Sequence, residues 1–201
     1  ITAYNISARN LSIINHYGPA GAEFFDVVTD STYIYAADRT QGLYVYEIIS
    51  PGVLSQVEHV SGYNPDYLAL DDTYLYAYSS GGQGISVHTR ESDGTLTFVD
   101  NNTEEINAVE IISDGTNIYM AEGTGGIHVF RMNASNELEK LDSVRTGHNN
   151  RGISYYDGYL YVTEYGTANL LSIYAVDDDG KLHHVQSSPT PGPLYNPTKY
   201  G

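Results

Sequence analysis

The sequence predicts an all-β chain, a β-propeller of four-stranded antiparallel blades, on three observations. One hairpin signature returns at intervals of about 42 residues along the chain. A further pair of short strands stands upstream of each of the last four hairpins, and no segment carries helical periodicity.

The recurring hairpin begins as ITAYNI at Ile1, LYVYEI at Leu43, ISVHTR at Ile85, IHVFRM at Ile127 and LSIYAV at Leu171. Each copy runs through a polar turn into a strand that opens with leucine: LSII at Leu11, LSQV at Leu54, LTFV at Leu96, LEKL at Leu138 and LHHV at Leu182. These are the third and fourth strands of a blade. The second strand reads YIYAAD at Tyr33, YLYAYS at Tyr74, NIYMAE at Asn117 and YLYVTE at Tyr159, and the first reads FFDVV, YLAL, VEII or ISYY. Turn chemistry agrees: TDST, LDDT, SDGT and YDG join first to second strands, and SDG and DDDG join third to fourth. A β-sandwich also has many short strands, but nothing in it requires the fifth hairpin to resemble the first.

This pattern divides a single domain, 1–201, into an outer half blade at 1–21, blades at 22–62, 63–105, 106–149 and 150–191, and the start of a further or closing blade at 192–201. The last segment, LYNPTKYG, resembles GYNPDYLA at Gly62, which leads into a first strand. Because Ile1 opens on a third strand, the inner half of that blade has to come from elsewhere, and unpaired strand edges are expected. The sequence therefore predicts a chain that continues past Gly201, or completion by a neighbouring molecule. The missing initiator methionine points the same way, to a processed chain or a fragment.

Composition narrows the function classes. With 25 acidic against 9 basic residues the formal charge is −16, which opposes nucleic acid and anionic membranes as partners. No cysteine is present, which excludes disulfides, thiolate metal sites and a cysteine nucleophile. The longest apolar runs are strand-sized, and no signal peptide precedes Ile1. Sequons at Asn5, Asn10, Asn101 and Asn133 favour a secreted or surface glycoprotein. Twenty tyrosines and no tryptophan suit half-buried strands and contact surfaces.

The segments TYIYAAD…GLYVYEI, TNIYMAEGTGGIHVFRM and above all YLYVTEYGTANLLSIYAVDDDGKLHHVQSSPTPG resemble the lactonase-like, YVTN-type propeller repeat family. The resemblance runs along nearly the whole chain and implies seven blades in a complete member. It also implies one of two activities, since the family holds sugar-lactone hydrolases as well as surface and binding proteins. Its motifs specify the blade, so no catalytic residue carries over.

Candidate site residues come from the register of the repeat. Asp38, Ser79, Glu122 and Glu164 occupy the same position near the end of the second strand, where a propeller gathers equivalent residues around its axis. The three carboxylates, Glu122, Glu164 and Asp38, are the candidate catalytic acid–base groups, or ligands for a hard cation such as calcium. The alternative is that each accepts backbone N–H bonds from its own glycine loop or the next blade. Arg39 and Arg151 are candidate ligands for an anion or lactone oxygen if they point inward, and otherwise are solvated charges. Asp177, Asp178, Asp179 and Gly180 read as a turn, His183 and His184 face opposite sides of a strand, and His88 stands where Tyr46 and Phe130 stand in other blades. No local hydrolase, zinc or phosphate-loop motif occurs.

Two functions follow as expectations. The first is a non-enzymatic secreted or cell-surface module without a cofactor, contacting protein or glycan and self-assembling through its open edges. The alternative is a sugar-lactone hydrolase with a carboxylate-lined axial site.

Overall fold

Every predicted strand pair forms where its alternation places it. The computed structural model describes residues 1–7, 10–104, 107–166 and 169–192, with side chains outside 5–14. The hairpin of β1 (Thr2–Ser7) and β2 (Asn10–His16) is a two-stranded sheet. Blade 1 contains β3 (Phe24–Thr29), β4 (Tyr33–Asp38), β5 (Gly42–Ser50) and β6 (Val53–Val60). Blade 2 contains β7 (Tyr67–Leu70), β8 (Tyr74–Ser79), β9 (Gly84–Arg90) and β10 (Leu96–Asn102). Blade 3 contains β11 (Ala108–Ser113), β12 (Ile118–Glu122), β13 (Gly126–Met132) and β14 (Leu138–Val144). Blade 4 contains β15 (Asn149–Tyr156), β16 (Tyr159–Tyr165), β17 (Leu170–Val176) and β18 (Leu182–Pro189). In each blade the four strands pair antiparallel in chain order. The closing segment expected at 192–201 lies, from 193 onward, outside the described residues.

Alternating strand residues point to opposite blade faces, so blades 1 to 3 bury both faces against their neighbours, and blade 4 packs one face against blade 3. Tyr35, Ala37, Leu43 and Val45 of blade 1 meet Leu68, Leu75 and Ala77 of blade 2. Tyr76, Tyr78, Ile85 and Val87 then meet Ile118, Met120 and Phe130, and Tyr119, Ala121 and Val129 meet Ile153, Leu160 and Val162. The opening hairpin docks through Ile1 and Tyr17, whose hydroxyl donates to Gly52 O at 2.8 Å, against Tyr44 and Tyr46 of blade 1.

Two repeated devices fix the blades. Asp30, Asp71 and Asp114 sit at the first turn of their blades. Each accepts two backbone N–H groups, for instance those of Thr73 and Tyr74 at 2.7 Å on Asp71, and a tyrosine hydroxyl, from Tyr35, Tyr76 or Tyr119. Burial and the adjacent carboxylate raise the pKa of Tyr76 and Tyr119, so these hydroxyls remain donors. At the rim, the carboxylate beside the bulge of the fourth strand in blades 1 to 3 accepts the N–H of the leucine that opens the fourth strand of the next blade. Glu58 takes Leu96 N at 2.6 Å, Asp100 takes Leu138 N at 2.7 Å and Asp142 takes Leu182 N at 2.8 Å. Charged acceptors of this kind outweigh neutral ones.

Candidate functional site

The first strands β3, β7, β11 and β15 stand next to one another around a cavity of about 200 Å³ whose wall includes Asp26, Tyr67, Val109, Glu110 and Arg151. What reaches its mouth is decided by bulges. The register of β3 on β4 slips between Phe24 and Asp26, that of β11 on β12 between Ala108 and Glu110, and that of β15 on β16 between Asn150 and Gly152. The residues left over are Phe25, Val109 and Arg151, and a bulge re-aims the residue it releases. Blade 2 pairs without a slip, and Tyr67 opens its first strand.

Arg151 lines the cavity with its guanidinium 5.6 Å from the ring centre of Tyr165. Arg39 lies 3.3 Å over the exposed ring of Phe25, which packs edge-on against Tyr67 at 5.4 Å. The Nε of Arg39 also meets buried Asp66 at 2.5 Å, and Asp66 in turn accepts Ser80 N at 2.6 Å. A cleft of about 550 Å³ opens beside this pair, lined also by Asn64, Ser79 and Gln83. The axial cavity thus presents the Arg151 guanidinium, the Tyr67 ring and the Asp26 and Glu110 carboxylates, and the cleft beside Arg39 presents a second guanidinium with Asp66. That is the equipment for a polar, ring-shaped ligand carrying oxygen acceptors.

A family model described as lactonase, 7-bladed β-propeller, matches residues 27–154. The chain belongs to this family. Three solved structures share the fold of this lactonase-family chain. A protein from Lactobacillus plantarum superposes with a TM-score of 0.76 at 20% identity, over 96% of this chain and 65% of its own. A Bacteroides uniformis protein, assigned provisionally as a 6-phosphogluconolactonase, gives 0.75 at 16% identity, over 94% and 64%. A functionally unknown protein from Desulfotomaculum acetoxidans gives 0.73 at 14% identity, over 96% and 64%. The chain therefore spans less than two thirds of the length of each. A comparison with curated proteins returned no match.

Within this lactonase-family frame the four register-equivalent residues do unlike things. Asp38 is buried and accepts the N–H groups of Glu23 (2.8 Å), Thr40 (2.8 Å) and Gln41 (2.9 Å). Burial raises its pKa, but these bonds together outweigh burial and hold the carboxyl below its usual value. Ser79 donates to Gln83 at 3.3 Å. Glu122 contacts His128 Nε2 at 2.8 Å, and buried Glu164 lies 3.1 Å from His148 Nδ1 without hydrogen-bond alignment. Among the described residues no three His, Asp or Glu side chains are grouped to hold a metal ion.

Asp26, Asp66, Glu110, His128 and His148 were not legible as site residues in the sequence. The first-strand position holding Asp26 and Glu110, which accept the N–H groups of Leu68 and Ile153 of the next blade at 2.8 Å, is Tyr67 in blade 2 and Gly152 in blade 4, so only two of the four blades put a carboxylate there. Of the sequons, Asn101 is exposed, Asn133 has its amide bonded within its own turn, and the side chains of Asn5 and Asn10 lie outside those described. Asp177 accepts the N–H groups of Asp179 and Lys181, as a turn residue does.

Proposed function

We propose that this chain is the larger part of a lactone hydrolase whose ligand sits at the mouth of the axial cavity. Membership of the lactonase family supports the reaction class. The single structural observation that carries the reading is Arg151, released by its bulge onto the cavity wall beside Glu110. Arg151 donates to the lactone carbonyl oxygen, and its charge offsets the oxyanion that forms as water adds to the carbonyl carbon. Glu110 takes the proton from that water and returns it to the ring oxygen as the C–O bond breaks, leaving a hydroxy acid. Arg39, stacked on Phe25, binds an anionic or hydroxyl substituent at the edge of the mouth. The Bacteroides uniformis protein provisionally assigned as a 6-phosphogluconolactonase favours a sugar lactone as substrate.

The test is acid release from glucono-δ-lactone and its 6-phosphate, measured against spontaneous hydrolysis. The wild-type chain exceeds the spontaneous rate, and Arg151→Ala loses about 100-fold in kcat/KM. Hydrolysis at the spontaneous rate by the wild-type chain overturns the proposal. A second reading, a surface recognition module for glycans, draws on the exposed rings of Phe25 and Tyr165. Its mark is calorimetric binding of gluconate, lost in Phe25→Ala, with no turnover.

A further inference from the structure

Blade 3 carries a polar array that the axial mouth does not use. Glu122 ends β12, His128 lies on β13 and Ser143 on β14, and the register Met120 to His128 to Ser143 puts all three on one face of the blade. His128 Nε2 is 2.8 Å from Glu122 Oε2, and His128 Nδ1 is 3.2 Å from Ser143 Oγ. An ionised carboxylate only accepts hydrogen bonds, so in the neutral ring Nε2 carries the hydrogen and Nδ1 presents its lone pair. The Ser143 hydroxyl therefore donates to Nδ1. The imidazole is buried while Ser143 is exposed, so the hydroxyl is reachable and its acceptor is shielded from water.

Glu122 is held from two further sides. Its Oε1 accepts Asn107 N at 3.3 Å, and its carboxylate fills the space beside Gly125 so closely that a Cβ there would collide with it. The equivalent positions are Asp38, Tyr44 and His59 in blade 1, Ser79, Ser86 and Asn101 in blade 2, and Glu164, Ser172 and Ser187 in blade 4. None of those sets puts an imidazole between a carboxylate and a hydroxyl.

We propose that Ser143 is an activated nucleophile toward small activated esters and their phosphonyl analogues, with His128 as general base and Glu122 as positioning residue. Ser143 Oγ adds to the ester carbonyl carbon while its proton passes to His128 Nδ1. The bond to the leaving alcohol then breaks, that oxygen takes the proton from Nδ1, and the acyl group remains on Ser143. Glu122 keeps the ring in the required tautomer and offsets its transient positive charge. The site lies on β12, β13 and β14, apart from the first strands that form the axial mouth, and does not depend on lactone hydrolysis there.

The test is a fluorophosphonate probe, which transfers its phosphonyl group to a serine oxygen and releases fluoride, with labelled sites located by peptide mass spectrometry. In the wild-type chain Ser143 labels about 100-fold faster than exposed Ser135, a factor at the lower end of general-base catalysis. His128→Asn abolishes that advantage, and Glu122→Gln reduces it while the circular dichroism spectrum stays unchanged. Labelling of Ser143 at the rate of Ser135 in the wild-type chain overturns the proposal without any variant. Full labelling in a folded His128→Asn chain overturns it as well. A failed lactone assay leaves it standing.

Discussion

Acidification should weaken this chain through one buried imidazole, and the size of the effect follows from its surroundings. His88 is 5% exposed on the face of blade 2 that packs against blade 1. One ring nitrogen contacts Ser86 Oγ, Nδ1 has no hydrogen-bond partner, and Phe98 covers the ring edge-on at 5.8 Å. Burial pushes its pKa down from 6.5 to about 4. The unfolded chain therefore takes up a proton at higher pH than the folded one. The stability contributed by neutral His88 is complete above about pH 6.5, falls progressively between pH 6.5 and 4, and from this residue loses nothing more below that. At 1.36 kcal/mol per pH unit the whole interval is worth about 3 kcal/mol. Phe130 occupies the same position in blade 3 and is fully buried, so His88→Phe is the matched variant. Urea unfolding at pH 7.5 and pH 4, followed by circular dichroism, gives the stability lost by each protein, and carboxylate effects common to both cancel in the difference. The wild-type chain loses about 3 kcal/mol more than His88→Phe over this interval. Equal losses would refute the argument that His88 is held neutral by burial.

Three further outcomes test the fold. Asp142→Ala strands the N–H of Leu182 at the rim and costs about 2 kcal/mol in urea unfolding, whereas Asp142→Asn, which keeps an acceptor oxygen, costs about half as much. Gly126 has φ +119°, and an added Cβ would collide with the carbonyl oxygen of Val144, so Gly126→Ala lowers stability by about 3 kcal/mol or abolishes soluble expression. Asp38→Ala removes the acceptor for three backbone N–H groups and costs about 3 kcal/mol. Because the Asp38 carboxyl is held below its usual pKa, its contribution is present above about pH 4 and lost as the pH falls further, which unfolding below that pH detects.

The blades were legible because each repeats the same physical problem. A Leu-initiated fourth strand recurs in every blade, and an aspartate at the first turn with a tyrosine hydroxyl on it recurs in blades 1 to 3, because those blades cap and pack in the same way. The mouth was less legible for the complementary reason. A ligand is held by differences between blades, and the sequence does not mark where a bulge releases Phe25, Val109 or Arg151. Arg39 and Arg151 were nameable as residues that could face inward, while Asp66 and Glu110 became visible only with the register. Equal height on the repeat also misled about equal role. The short side chain of Asp38 is taken up by its own loop and the N–H of Glu23, whereas the longer Glu122 and Glu164 each reach an imidazole, that of His128 or His148.

The carboxylates at the rim have a direction. Each reaches from one blade to the next in chain order, so one side of a blade offers an acceptor and the other a bare amide. Glu58, Asp100 and Asp142 are spaced 42 and 42 residues apart, as are Leu54, Leu96 and Leu138. Excising one such period would bring Glu58 to Leu138 with the same chemistry on both sides of the join. The outer wall is therefore a modular fastening that accepts any number of units, and it is the packing of the inner strands around the cavity that must set how many make a closed ring.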